Sequence, residues 1–189
     1  NNRNAGLASE GADGVREVRY EPAPGDLAFF KAVSRWPSSY HAEMNDLVLR
    51  AMTPADVPMV AGLSGQLGYP ASPDQVARRF ERILPKQDHV LVIAEDLGRA
   101  VLGWVHAYAV LSLESEPYAE IGGLVVDHRH RRRGIGRALV AEVERWARGQ
   151  GLNRMRVRSN VTREEAHRFY PGIGFDLLKT QRAYGRPLS

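Results

Sequence analysis

The stretch IGGLVVDHRHRRRGIGRALV, residues 121–140, constrains the fold more than any other part of the chain. Ile121 to Val126 is an apolar run of strand length. From Gly136 to Arg148 the spacing of Leu139, Val140, Val143, Trp146 and Ala147 is that of one helix face. Between strand and helix, Arg129, Arg131, Arg132, Arg133 and Arg137 crowd around Gly134 and Gly136. Like charges so close together call for an anionic partner: nucleic acid, an acidic membrane surface or a small phosphorylated ligand. Two familiar phosphate turns are excluded. A P-loop needs Gly-Lys-Ser/Thr at the helix start, but Arg137 and Ala138 follow Gly136. A dinucleotide fingerprint beginning at Gly134 needs Gly or Ala where Leu139 stands. What remains is a helix whose first N–H groups, uncovered at the glycines, can surround a pyrophosphate inside an arginine funnel.

The 189 residues, 43% of them hydrophobic, support one good core plus an extension rather than two full domains. No apolar run has the length of a membrane span and no charged-then-apolar leader opens the chain. The expectation is a soluble, cytoplasmic protein with no membrane partner. Cys is absent, which removes disulfides, a thiolate nucleophile and cysteine metal sites. The formal charge of +4 is too small and too local to mark a nucleic-acid protein by itself.

Residues 1–45 differ in character from the rest of the chain. Asn1 to Gly14 is rich in Asn, Ala and Gly and begins without Met, so a mobile or trimmed end is expected. A short helix is expected over 27–35, capped by Asp26, with Leu27, Phe30 and Val33 on one face. The arm is expected to pack on the main domain; a homodimer contact or the tail of a lost upstream domain are its alternatives.

From Asp46 the punctuation becomes regular. Strand 47–52 leads to Thr53-Pro54, a cap and a first helical residue, and to a helix with Val57, Val60, Leu63 and Leu67 on one face. Ser72-Pro73-Asp74-Gln75 opens a second helix carrying Val76, Phe80 and Ile83. Runs 90–94 and 101–110 predict an antiparallel hairpin with Gly98 available for positive φ, and 118–126 predicts the next strand. After the helix over 136–148, Arg154, Arg156 and Arg158 alternate with Met155 and Val157 as a strand with a solvated arginine face. Thr162 and Glu165 predict a capping box for a helix reaching Tyr170, and 175–180 with 183–185 a closing hairpin. The expected order is β-α-α-β-β-β-α-β-α-β-β, an α/β (α+β) domain over 46–189.

Arg131-Arg132-Arg133-Gly134-Ile135-Gly136 resembles the acyl-CoA signature Arg/Gln-x-x-Gly-x-Gly/Ala of the GCN5-related N-acetyltransferase (GNAT) superfamily, placed between the fourth strand and the third helix. Asn160, then Ala166-x-x-Phe169-Tyr170, then Gly174-Phe175 are similar to the second half of that family's pattern in order and spacing. The resemblance runs from Asp46 to Arg186. It departs at Pro171, where the family's helix continues for another turn and where Pro disfavours the α conformation at Tyr170.

The resemblance implies a mixed, mostly antiparallel, V-shaped sheet with helices on both faces, its fourth and fifth strands splayed to admit the pantetheine arm of acetyl-CoA. Leu124, Val125 and Val126 would offer that arm backbone hydrogen bonds, and an N–H there would stabilise the oxyanion. Arg131, Arg132, Arg133, Gly134, Ile135, Gly136, Arg137 and Asn160 complete the implied coenzyme set. A primary amine must lose a proton before it attacks the thioester. Glu120, at the distance from the glycine motif that the catalytic glutamate has in the family's histone-acetylating branch, is the implied base, acting through water. Tyr170 resembles the tyrosine that protonates the departing sulfur. The expected acceptor is a small-molecule amine, aminoglycoside-like, attacking directly in a ternary complex. Glu114 and Glu116 in the loop LESEPY would attract it if it is cationic.

Each assignment has a plainer rival: a solvated strand end for Glu120, a core aromatic for Tyr170, an exposed acidic loop for Glu114 and Glu116. His128 and His130 lack an organised third ligand and sit among arginines, so no metal is expected. Gly62-Leu63-Ser64-Gly65 is no nucleophile elbow, since Gln66 takes the final glycine's place. A catalytically silent acyl-CoA-binding module and a nucleic-acid-binding protein are the alternatives. The second is disfavoured because no aromatic residue interleaves the basic run.

Overall fold

The computed structural model of the protein describes residues 46–188, so the expected arm over 1–45, with its helix over 27–35, lies outside the described residues. Among the described residues, five strands form one sheet in the order β1-β2-β3-β4-β5. β1 (Leu47–Ala51), β2 (His89–Asp96), β3 (Val101–Ser112) and β4 (Ser115–Val126) pair antiparallel with their neighbours, while β5 (Met155–Val157) runs parallel to β4.

Strand alternation sends neighbouring residues to opposite faces, and both faces are covered. On one, α1 (Val57–Gln66) and α2 (Pro73–Ile83) bury Val57, Val60, Leu63, Val76 and Phe80 against Ile93, Val101 and Val125. Thr53 and Pro54 start a 3-10 turn, Pro54–Asp56, that leads into α1, and α2 opens with the expected capping box. There Ser72 Oγ accepts from Gln75 N at 3.2 Å and Gln75 Oε1 accepts from Ser72 N at 2.9 Å. On the other face, α3 (Ile135–Gly149) sets Leu139, Val140 and Val143 against Val92, Val105, Ala107 and Ile121. Leu139 is wholly buried, so Leu139→Ala would cost about 2–5 kcal/mol through lost transfer energy and a cavity. α4 (Glu164–Gly172) packs Phe169 on the same cluster. No helix among the described residues is long and apolar enough to cross a membrane.

Four local expectations are corrected. At the β2–β3 turn the positive φ, 65°, belongs to Arg99 and not to Gly98. The Asp96 carboxylate takes the Ala100 N–H at 2.8 Å and its carbonyl takes the Arg99 N–H at 2.9 Å, which places the left-handed residue one position later. The Thr162–Glu165 capping box does not form. Asn160 Oδ1 accepts from Thr162 N at 3.1 Å and from Thr162 Oγ1 at 3.0 Å, an Asx turn that occupies the hydroxyl, and Glu165 pairs with Arg131. The helix therefore starts at Glu164 with Arg163 as an N-cap that makes no side-chain bond.

Pro171 does not stop α4, which runs on to Gly172. In the last turn a proline deprives only one carbonyl of its donor, and Phe175 N closes the end on Tyr170 O at 3.0 Å. Finally, the expected hairpin over 175–185 is absent, so the order among the described residues ends at α4. The short β5 offers a three-residue edge as a template, and Leu177, Leu178 and Tyr184 remain exposed.

Candidate active site

Parallel pairing of β4 with β5 ends at Ile121 opposite Val157, so Gly122 to Val126 continue without a β5 neighbour. This is the opening of the V. On its other side, β4 carries a bulge: His106 faces Gly123 and Ala107 faces Ile121, leaving Gly122 as the extra residue. A side chain at either place would have to displace an aromatic ring. A Cβ on Gly122 would stand 2.8 Å from Tyr108 Cε1, and one on Gly123 would stand 2.8 Å from Trp104 Cη2. Leu124, Val125 and Val126 thus line the opening through their backbone, with Val125 anchored in the core beneath α1 and α2.

At the end of β4 the chain enters the basic turn. Asp127, 5% exposed, accepts from Arg129 N at 2.9 Å, Nε at 3.1 Å and an outer nitrogen at 2.8 Å. These bonds hold its carboxyl well below the usual carboxylate range. Arg129 is therefore a brace of the turn. Gly134 takes a left-handed conformation, φ 83°, as the N-cap of α3, and the first intrahelical bond runs from Ala138 N to Gly134 O at 3.0 Å. The N–H groups of Ile135, Gly136 and Arg137 accordingly have no helical carbonyl to meet. They lie at the positive end of the helix dipole.

The second half of the motif is tied to the first. Arg131 bonds Glu165 on α4 and reaches Val126 O at 3.4 Å, and Arg137 donates to Gly172 O at 2.8 Å. Phe169 lies against Gly136, where a Cβ would meet its ring at 3.2 Å. Arg133 meets the His130 ring at 3.1 Å, and Arg132 has a positive φ of 61°. Tyr170 follows Phe169 and stands between that ring, at 5.1 Å, and Phe175, at 5.5 Å. Burial pushes its phenol up to about 12, against a smaller opposing effect of Arg163, so it keeps its proton at neutral pH. Asn160 caps its own turn through Thr162.

Glu120 is buried on β4, at 3% exposure, and accepts from Arg158 Nε at 2.7 Å. It is not a solvated strand end. The arginine face beyond β5 is not simply solvated either: Arg158 holds Glu120, and the Arg156 guanidinium lies 4.0 Å above the Tyr118 ring. The bond to Glu120 raises the Arg158 pKa further above its ordinary value. Alternating arginines opposite an alternating Tyr118 and Glu120 were the available signal, but the parallel register Glu120 to Arg156 that makes them meet is set by the intervening α3. Residues that the sequence did not single out stand in the same row. His89 is in register with Tyr108, and Tyr108 with Glu120. Arg163, before α4, donates to Leu67 O at 2.6 Å at the end of α1.

Glu114 and Glu116 lie at the exposed β3–β4 tip, where Ser112 pairs with Ser115. Along the strand, Glu116 is roughly 13 Å from Glu120. The structure does not bring either to the buried carboxylate.

More than half of the chain, residues 58–175, matches the sequence pattern of the acetyltransferase (GNAT) family. Aminoglycoside N(6')-acetyltransferase type 1 of Stenotrophomonas maltophilia is 29% identical over 145 residues, spanning 74% of this chain and 93% of that one. The protein of the same name from Serratia marcescens is 26% identical over 108 residues, spanning 55% of this chain and 74% of that one. AAC(6')-Iy, solved in complex with the bisubstrate analogue CoA-S-monomethyl-acetylneamine, shares the fold with a TM-score of 0.66 at 22% identity, covering 75% of this chain and 99% of that one.

Proposed function

The chain belongs to the acetyltransferase (GNAT) family, and from that premise we propose that it moves an acetyl group from acetyl-CoA to a primary amine of a small molecule by direct attack in a ternary complex. The observation that carries this reading is the open backbone of Gly122 to Val126, lying between the bare helix start at Gly134 to Gly136 and the buried Glu120. The pyrophosphate sits on the N–H groups of the turn, within reach of Arg131, Arg132 and Arg133. The pantetheine adds to β4 as a short strand.

The acceptor is an ammonium in water, with a pKa of about 10.4 when it resembles lysine. Glu120, fixed by Arg158, draws a proton from it through water. The freed amine attacks the thioester carbon, an N–H of β4 meets the oxyanion, and Tyr170 gives its proton to the departing sulfur. The aminoglycoside-modifying relatives favour a 6'-aminoglycoside or a similar polyamine as the acceptor.

The nucleic-acid reading loses support, because Arg129 and Arg137 are engaged within the fold by Asp127 and Gly172. The test is a thiol-release assay with acetyl-CoA across a panel of amines. Turnover with aminoglycosides bearing a free 6'-amine, lost when that amine is replaced by hydroxyl, is expected. Acetyl-CoA binding without turnover on any amine would favour the silent module instead.

A further inference from the structure

His89 Nδ1 and His106 Nε2 lie 2.9 Å apart, with rings stacked at 5.2 Å and 15° from parallel. One nitrogen carries the proton and the other accepts it. The pair occupies the face of the sheet that bears Glu120, joined to it in register through Tyr108, whose ring lies 5.4 Å from His89 and 5.6 Å from His106. The second nitrogen of His106, Nδ1, faces the bulge of β4: a Cβ on Gly122 would stand 3.7 Å from it. At the other end, His89 Nε2 is 3.9 Å from Oδ1 of Asp88, whose side chain is 61% exposed. Two imidazoles thus lead from the bulge to solvent. Packing alone does not call for them, since apolar rings would fill the space without desolvating polar nitrogens.

We propose that His106 and His89 form the path by which the proton taken from the acceptor amine leaves the site. This rests on the acetyl-transfer reading above. In each turnover the ammonium loses two protons as the nitrogen–carbon bond forms and the carbon–sulfur bond breaks. One proton ends on sulfur by way of Tyr170, and the other must reach solvent. Water at Glu120 hands that proton to His106 Nδ1, the proton on His106 Nε2 passes to His89 Nδ1, and the proton on His89 Nε2 leaves to water beside Asp88. When the site has emptied and stands open to solvent, water beside Asp88 returns a proton to His89 Nε2 while His106 Nδ1 gives one to water at the bulge. This restores the starting tautomers and leaves one proton in solvent for each turnover.

The charged and titratable groups around the pair are Asp88 at the exit, Tyr108 in the row, and Glu120 with Arg158 beyond it. Burial, and then the neighbouring His89, push the His106 ring down to about 4. It is a neutral carrier at working pH and does not store the proton.

The test uses His89→Phe, which keeps a stacked ring without nitrogens, and His89→Gln in case the first variant melts early. Near neutral pH, kcat should fall by about 10-fold in both, with both KM values unchanged, and added imidazole should restore it. In nitrogen-detected NMR of the free protein, His106 Nε2 should lose its hydrogen-bonded shift in the Phe variant. Variants that turn over like the wild type, or a loss that imidazole does not restore, overturn the relay. A wild type that releases no thiol with any amine overturns the acetyl-transfer reading and the relay with it.

Discussion

Arg158 Nε donates to Glu120 Oε1 at 2.7 Å, joining a guanidinium whose side chain is 69% exposed to a carboxylate whose side chain is 4% exposed. A carboxylate so held has one oxygen committed and a fixed aim for the other, which suits a base that works through a single water. Glu120→Gln keeps the shape and removes the base. We expect kcat/KM to fall about 100-fold near neutral pH, with the deficit shrinking at alkaline pH, where the amine arrives neutral. A variant profile parallel to wild type across the pH range would remove Glu120 from the chemistry.

Tyr170→Phe should lower kcat by about 100-fold or more while acetyl-CoA affinity barely changes, because the ring packing against Phe169 and Phe175 survives. The phenol pKa, pushed up to about 12 by burial, sets the sign of the pH effect: as an acid, Tyr170 stays competent throughout the neutral range and its loss should appear only as pH nears that value. Pro171→Ala should leave kcat close to wild type, since α4 already continues through the proline. Steady-state kinetics with a thiol-trapping readout check both variants.

Glycine and proline punctuation acts locally, and so much of the molecule is legible in its sequence. The turn from Val126 to Gly136 and the capping box that opens α2 follow from short-range chemistry and stand as expected. What stayed hidden depends on register between distant strands. Arg158 meets Glu120 only because a parallel crossover aligns β5 with β4, and His89 meets His106 only through the β2–β3 ladder. The closing hairpin failed for the reverse reason: alternation from Phe175 onward needs a long partner edge, and β5 supplies three residues.

Gly134→Asp should abolish the rise in melting temperature that acetyl-CoA gives by mass action, since it sets a carboxylate against the pyrophosphate. Gly134→Asn is the matched control. Asn tolerates the left-handed conformation, φ 83°, better than other side chains, so most of the coenzyme shift should remain. Differential scanning fluorimetry against acetyl-CoA concentration reads both.

Glu114→Gln with Glu116→Gln should raise KM for polycationic acceptors a few-fold at low salt, with kcat unchanged and the effect fading as ionic strength grows. Their exposed position at the β3–β4 tip allows attraction at a distance and no contact with the reacting groups. A change in kcat would place them nearer the chemistry than the fold does.

The last prediction concerns stability. Arg50 bonds both oxygens of Asp56 at 2.7 Å and Glu95 Oε2 at 2.8 Å, joining β1 to the turn before α1 and to β2. Asp56 and Glu95 are 5% and 4% exposed, so Arg50→Met would strand two buried carboxylates and cost about 3–5 kcal/mol. For Asp56, burial raises the pKa, but the bonds from Arg50 and Thr53 outweigh it and the carboxyl is held below its ordinary value of 3.8. A lowered folded pKa means that its contribution is present above the unfolded pKa and is lost as pH falls through the folded one. Wild type and Asp56→Asn should therefore differ most in urea denaturation at neutral pH and converge on acidification below about pH 4. A stability gap independent of pH would show that the carboxylate's charge does not hold β1 to α1.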